Sequence, residues 1–148
     1  MSVPNSSFFP LSHSAFRWYA LGMYSLRVET DFAAAHFLSS YHGKCEKLHG
    51  HNYRVRLWVS GSELDQGGMV ADFSLLKKAL KEAVSLLDHS NLNDMEFFQN
   101  NPSAERIASF IFDKVRETLP ELGLNIRPRA VDVFETPTSM ARYTGEAK

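Results

Sequence analysis

Residues 49–59 read HGHNYRVRLWV, and their pattern decides the fold. Apolar side chains occupy the odd-numbered positions from Tyr53 onwards, and polar side chains occupy most of the even-numbered ones. Alternation with a period of two predicts a β-strand with one buried face. His49 and His51 share the parity of the apolar residues, so we expect both imidazoles on that buried face.

The flanking segments supply partners for this strand. Residues 26–34 carry apolar side chains mainly at even positions, which predicts a second strand, and His36 has the same parity. A polar loop over residues 39–47 joins the two strands, so they should pair as a hairpin. Further along the chain, residues 130–136 and 140–143 are typical of two short strands.

Two helices are expected between the strand pairs. Apolar side chains recur at helical spacing from Phe73 to Leu87, behind Asp72 as the capping residue. A second helical pattern begins near Ser103 and ends before Pro120. The order of elements predicts an α+β fold, with a four-stranded antiparallel sheet and two helices on one face. Such a sheet leaves its edges exposed, which favours an oligomer that joins sheets edge to edge.

The composition is that of an ordinary globular protein of 148 residues. The formal net charge is -1, so neither nucleic acid nor an anionic membrane is expected as a partner. The single cysteine excludes an intramolecular disulfide. No signal-peptide pattern is present, and no apolar run reaches the ~18 residues of a membrane span, so we expect a cytoplasmic location.

The N-terminal segment differs from the rest of the chain. Residues 1–22 show no clear period and contain prolines and several serines. We interpret them as a flexible N-terminal extension, and residues 23–148 as one domain. Met23 directly precedes the first strand pattern.

Three of the six histidines are arranged as in a metal site. His49 and His51 are two residues apart on one strand, so their side chains project from the same face, about 6.5–7 Å apart at the backbone. His36, at the end of the neighbouring strand, could complete a triad if the two strands pair as a hairpin. Three imidazoles with an open fourth position describe catalytic zinc, although copper, nickel and iron also accept imidazole. Histidines packed in the core without a metal are the alternative.

Cys45 and the pair Asp88 and His89 carry further reactive groups. Cys45 lies four residues before His49, where a zinc ion would favour its thiolate. It could be a fourth ligand, which would close the site, or stand off the metal as nucleophile or base. His89, after the first helix, either complements the helix dipole or exchanges a proton with Cys45 while Asp88 orients it. The spacing leaves these alternatives open.

Two glutamates also stand in positions of interest. Glu135 has the parity of the apolar residues of its strand, where a carboxylate is costly unless something pairs with it. It could bind a ligand with two adjacent N–H donors, or reach solvent at an edge strand. Glu105 opens the second helix, where an acidic residue favours the helix dipole.

Five segments carry a resemblance to a known family. They are FAAAH at 32–36, CEKLHGHNY at 45–53, LDHSNLND at 87–94, NPSAE at 101–105 and VFET at 133–136. In this order they resemble the signature of the 6-pyruvoyl-tetrahydropterin synthase and 6-carboxytetrahydropterin synthase family, over about residues 24–146. The resemblance implies the tunnelling fold (T-fold), in which trimers close a β-barrel and stack as hexamers with sites between subunits.

The resemblance also implies roles for the residues discussed above. It implies a zinc ion on the three histidines, and Cys45 as the general base beside Asp88 and His89. The implied substrate is 7,8-dihydroneopterin triphosphate. The implied contacts to its pterin ring are Glu135, Ser103 and Glu105.

The spacing Cys-x3-His-x-His resembles the short-loop bacterial form of the family. That form is associated with 6-carboxytetrahydropterin synthase, which releases acetaldehyde and triphosphate and feeds queuosine and 7-deazapurine synthesis. We rank this activity first. The alternatives are 6-pyruvoyl-tetrahydropterin synthase acting on the same substrate, a non-catalytic zinc module with Cys45 as fourth ligand, and a zinc hydrolase.

Overall fold

The computed structural model describes residues 22–39 and 41–145. The extension expected at residues 1–22 therefore lies outside the described residues, apart from its last position. The elements in chain order are β1 (Tyr24–His36), β2 (His49–Gly61), α1 (Phe73–Ser85), β3 (Ser90–Asn91), α2 (Ala104–Glu121), β4 (Pro128–Thr136) and β5 (Ser139–Tyr143). Short 3-10 turns lie at Lys44–Glu46, Leu92–Asp94 and Glu96–Phe98.

The sheet has the strand order β3-β1-β2-β4-β5 and is not closed into a barrel. The four predicted strands pair antiparallel, as expected. The structure adds β3, in which Ser90 and Asn91 pair parallel to Ala34 and Ala35, so the sheet is mixed and has five strands. Two residues are too few to show a period, which is why the sequence pattern did not predict this strand.

Both helices begin where the sequence predicts. Asp72 caps α1 by accepting a backbone hydrogen bond of 2.7 Å, and Ser103 caps α2. The prediction that α2 ends before Pro120 is wrong, because the helix continues through Pro120 to Glu121. Gly123 follows with a left-handed φ of 78°, the conformation that commonly terminates a helix. Neither helix of the described chain combines the length and hydropathy that crossing a membrane requires.

The two helices pack on the same face of the sheet, α1 over β1 and α2 over β4 and β5. The apolar face of β2 lies at the centre of this core, and the residues completely buried there include Val55, Leu57 and Val59. Burying a side chain of this size stabilises the fold by about 1.5–3 kcal/mol. The packing makes one face of β1 and β2 internal, so it also directs their histidines inward.

The opposite face of the sheet carries charged side chains, including a buried carboxylate. Arg142 donates to Asp132 through Nε (2.6 Å) and through its terminal nitrogen (2.9 Å), and Trp58 Nε1 adds a third bond (2.8 Å). Burial by itself would raise the pKa of Asp132. The hydrogen bonds from Arg142 and Trp58, with the charge of Arg56 nearby, outweigh burial and hold that pKa below its usual value.

Candidate metal centre and active site

Three histidines converge where β1 and β2 meet. The antiparallel register pairs His36 directly with His49, and His51 follows on the same face of β2. One ring nitrogen of each lies within 4.8 Å of the others, and the ring centroids are 4.5, 5.2 and 4.9 Å apart. Across residues 22–39 and 41–145, these side chains form the one cluster of His, Cys, Asp or Glu ligands spaced to hold a single ion.

Backbone carbonyls fix two of these rings. His36 Nδ1 lies 2.8 Å from the carbonyl oxygen of Pro102, and His49 Nδ1 lies 2.7 Å from that of Lys47. A carbonyl oxygen only accepts, so each Nδ1 carries the proton and donates it. In a neutral ring Nε2 then keeps its lone pair, which is how metal-binding histidines are commonly held.

The buried Nε2 atom of His36 has no hydrogen-bond partner in the described part of the chain. Burial lowers the pKa of His36, while the Pro102 carbonyl and the Glu135 carboxylate act in the opposite direction and raise it less. The imidazole is therefore neutral at pH 7, and its inward lone pair meets no donor. A buried unsatisfied polar group costs about 1–3 kcal/mol, and a bound cation would remove that cost. The donor set thus fits zinc or a similar borderline metal.

Cys45 does not belong to this group of clustered ligand atoms. It lies half-buried in the turn Lys44–Glu46, and its carbonyl oxygen accepts a hydrogen bond from the backbone of Leu38 (2.8 Å). The turn is thereby tied to the segment that follows β1. Because a fourth ligand should lie as close as the other three, this placement favours an open metal site over one closed by sulfur.

Asp88 and His89 form a pair beside the edge of β1. Asp88 Oδ1 accepts a hydrogen bond from the backbone of Ala33 (2.9 Å) and lies 3.0 Å from His89 Nδ1. The bond from Ala33 and then the bond from His89 lower the pKa of Asp88. The backbone of His89 is left-handed, with φ of 55°, and donates to the carbonyl of Ala33 (2.6 Å). Its side chain is 83% exposed, so the imidazole is presented outward.

A cavity of about 610 Å³ adjoins this pair, and it is lined mainly by the face of the sheet opposite the helices. Its lining includes Asp88, His89, Arg54 and Glu135, but neither Cys45 nor any of the three clustered histidines. Within one chain, His89 and Cys45 therefore lie in different surroundings. The proton relay between them stays a prediction.

A second cavity, of about 230 Å³, is lined by all three residues expected to contact substrate. Ser103 and Glu105 come from the start of α2, and Glu135 comes from the end of β4. Glu135 Oε1 lies 3.9 Å from His36 Nε2, and its side chain is 29% exposed. The carboxylate thus stands between this cavity and the histidine cluster, where a ligand can reach it.

Two supporting residues were not anticipated from the sequence. Asn93 accepts from the backbone N–H of Phe37 (2.8 Å) and donates to its carbonyl (2.9 Å), which clamps the chain directly after His36. Tyr53 has a buried hydroxyl without a partner among the described residues, and burial, followed by Glu135, raises its pKa. Both lie inside the quoted motifs. The sequence feature that could have identified both residues is a hydrogen-bonding side chain within one of these motifs.

The mixed five-stranded sheet, the two helices on one face and the inward histidines define an α+β protein with the tunnelling fold. The family model described as 6-pyruvoyl tetrahydropterin synthase matches residues 25–146. The chain therefore belongs to the 6-pyruvoyl tetrahydropterin synthase family. Both the resemblance read from the motifs and the predicted fold class are confirmed.

Individual relatives agree with this assignment. The chain is 42% identical over 127 residues to a 6-carboxy-5,6,7,8-tetrahydropterin synthase of Synechocystis sp., covering 82% of this chain and 93% of that protein. It is 38% identical to the synthase of the same name from Bacillus subtilis, covering 81% and 84%. A 6-pyruvoyl tetrahydrobiopterin synthase of Drosophila melanogaster is also 38% identical, covering 70% and 62%. The solved 6-pyruvoyl tetrahydropterin synthase of Caenorhabditis elegans superposes with a TM-score of 0.74 at 29% identity, covering 86% and 99%.

Proposed function

We propose that this protein is a zinc-dependent lyase that converts 7,8-dihydroneopterin triphosphate to 6-carboxy-5,6,7,8-tetrahydropterin, with release of acetaldehyde and triphosphate. The observation that carries the proposal is the meeting of two features. Three histidine ring nitrogens lie within 4.8 Å of one another, and a cavity lined by Ser103, Glu105 and Glu135 reaches them through the Glu135 carboxylate, 3.9 Å from His36 Nε2. The names of the Synechocystis and Bacillus relatives support the carboxy product.

His36, His49 and His51 would hold the zinc ion. Bound zinc supplies Lewis acidity to oxygen atoms of the substrate side chain. The carbonyls of Pro102 and Lys47 keep two imidazoles in the tautomer that offers Nε2. Burial of His36 keeps its ring neutral and available as a ligand.

Glu135 is assigned to the pterin ring. A carboxylate has two acceptor oxygens, and a 2-aminopyrimidinone edge presents two adjacent N–H donors, so two parallel hydrogen bonds can form. The half-buried position of Glu135 strengthens such bonds, because less water competes there. Ser103 and Glu105 line the same cavity and are assigned as further ring contacts.

Cys45 is assigned as the general base, with its thiolate exchanging a proton with substrate carbon. Its position outside the group of ligand atoms supports this role over that of a fourth ligand. Asp88 orients His89 through a 3.0 Å contact, and the exposed imidazole is free to face the site of a second copy of the chain. We therefore assign the relay to two subunits, in keeping with sites placed between subunits of a trimer or hexamer.

The second candidate function is 6-pyruvoyl-tetrahydropterin synthesis from the same substrate. The Drosophila relative favours it by name, whereas the short Cys-x3-His-x-His spacing favours the carboxy product. We further propose that the carboxy product feeds queuosine and 7-deazapurine synthesis. The cytoplasmic location stays a prediction from the sequence.

Product analysis decides between the two activities. The zinc-loaded protein is incubated with 7,8-dihydroneopterin triphosphate, and the products are separated and identified by mass spectrometry. We expect 6-carboxytetrahydropterin and acetaldehyde in equal amounts. A pyruvoyl product without acetaldehyde would assign the second function, and unchanged substrate would reject both.

A further inference from the structure

The hydroxyl of Tyr53 is a second buried polar group without a partner beside the metal centre. The residue is completely buried on the inner face of β2, next to His51 on the same face. Its ring stacks on Phe32, with centroids 4.8 Å apart and planes inclined by 13°, and it meets the His51 ring edge-on at 5.4 Å. In the described part of the chain, the unpartnered buried side-chain atoms are this oxygen and His36 Nε2.

A metal ion accounts for the histidine nitrogen but not for the hydroxyl. Three imidazole lone pairs already supply the ligand set, and a protonated phenol is a hydrogen-bond donor rather than a metal ligand. The natural partner of a buried donor is a nearby acceptor, because leaving the donor unpaired costs free energy.

Glu135 is the acceptor that the sheet places beside Tyr53. The paired residues of β2 and β4 include Val55 with Val133 and end with Arg54 and Phe134. Extended by one residue, the same register sets Tyr53 opposite Glu135. Residues opposite each other on one face of an antiparallel pair have Cβ atoms about 4.5–5.5 Å apart.

The Glu135 carboxylate in turn has no donor in the described residues. His36 Nε2, 3.9 Å from Glu135 Oε1, presents a lone pair because the proton sits on Nδ1. Without a hydrogen-bond donor, the partly exposed Glu135 side chain keeps its rotamer freedom. Binding of a ligand would remove that freedom, and the lost conformational entropy would weaken binding.

We propose that Tyr53 is a positioning residue, whose hydroxyl donates a hydrogen bond to the Glu135 carboxylate and orients it toward the bound heterocycle. The inference rests on the proposed function of Glu135. The bond would form by rotation of the partly exposed Glu135 side chain, because the register places the two residues opposite each other on neighbouring strands. A carboxylate has about four lone-pair sites, so it accepts this bond and still receives two N–H groups from the ring.

The test compares Tyr53→Phe with Tyr143→Phe, a matched loss of a hydroxyl on β5, away from the histidines. The probe is 2-amino-4-hydroxypteridine, titrated into zinc-loaded protein and followed by its fluorescence. We expect Tyr53→Phe to raise the Kd for this pterin, and KM for the triphosphate substrate, about tenfold, in line with losing one hydrogen bond to a charged group. Turnover number, zinc content and melting temperature should stay close to wild type, and Tyr143→Phe should leave all five quantities unchanged.

The same titration in a Glu135→Ala background separates positioning from packing. Tyr53→Phe should add no further loss there, because the group it orients is gone. Three results would overturn the inference: an unchanged Kd in Tyr53→Phe, a further tenfold rise in Kd when Tyr53→Phe is added to Glu135→Ala, or loss of zinc from Tyr53→Phe. If wild-type protein fails to bind the pterin, the proposed function falls and this inference falls with it; tight wild-type binding with an unaltered Tyr53→Phe rejects this inference alone.

Discussion

His36 and His49 are directly opposite each other in the antiparallel register of β1 and β2, and their ring centroids lie 4.5 Å apart. A slip of one residue in that register would turn the side chains of one strand to the other face of the sheet. The register that buries the core is therefore the register that assembles the three-histidine cluster. Fold and candidate metal site depend on the same hydrogen-bond ladder.

We expect His49→Ala to lose most of its bound zinc, because two imidazoles remain where three converged. Metal content after dialysis, measured by mass spectrometry, checks this, with one zinc per chain expected for the wild type. A chelator should lower the melting temperature of the wild type but not of the variant, since a ligand present at about 1,000 times its Kd stabilises by about 4 kcal/mol. His42→Ala, whose ring is 91% exposed, is the control and should keep its zinc. Equal zinc in the two variants would contradict the assignment.

Cys45→Ala should keep its zinc and lose turnover by about 10²–10⁴-fold, the usual contribution of a general base. The reason is that its sulfur lies outside the group of ligand atoms. Metal analysis and product formation are measured on the same preparation. Loss of zinc would make Cys45 a ligand and the site a structural one, and full activity would indicate a zinc hydrolase instead.

Glu135→Gln should raise KM for the substrate by about 10–100-fold, because a hydrogen bond to a charged group contributes about 1.5–3 kcal/mol. The amide has the same size but sets an N–H group against the N–H edge of the ring. Steady-state kinetics provide the measurement. Glu117→Gln is the matched control, since Glu117 forms a surface pair with Lys114 (2.9 Å). A KM equal in both variants would count against Glu135 as the pterin anchor.

Asp132→Asn should lower stability at pH 7 by about 2 kcal/mol, because it removes charge-assisted hydrogen bonds from Arg142. The pKa of Asp132 is lower in the folded protein than its ordinary value of 3.8, so the folded state binds fewer protons than the unfolded state. The stabilisation is therefore complete above about pH 4 and is lost as pH falls through the folded pKa.

Melting temperatures of wild type and Asp132→Asn at pH 7, 5, 4 and 3 test whether the stabilisation by Asp132 decreases as pH falls. The difference between them should be constant from pH 7 to 5 and shrink toward pH 3. Asp113→Asn, which affects an exposed pair with Arg116, is the control and should change little at any pH. A difference in melting temperature that grows as pH falls would contradict the prediction that the pKa of Asp132 is lowered by folding.

The native protein should have the mass of a trimer or a hexamer. β5 forms one edge of the sheet, and β3 covers only the Ala34 and Ala35 positions of β1, so both edges are open to strands of another copy. Native mass spectrometry at micromolar concentration is the measurement. A monomer under these conditions would remove the assignment of His89 to the site of a neighbouring subunit.

Much of this protein follows from its sequence alone. The alternation along residues 49–59 determines which side chains of β2 face inward, because successive residues of a strand project from opposite faces. His49 and His51 therefore lie on the same face of β2 as its apolar side chains. The caps at Asp72 and Ser103 are equally local, since the capping oxygen bonds to the backbone of the next turn.

The tertiary structure decides what depends on distant segments meeting. The bond from His36 to the carbonyl of Pro102 spans 66 positions, and the cavity shared by Ser103 and Glu135 joins a helix start to a strand end. The parallel strand β3 and the left-handed His89 likewise arise from packing against β1. Periodicity specifies the face on which a side chain lies, whereas register, side-chain rotamer and the approach of remote backbone are set only when the core packs.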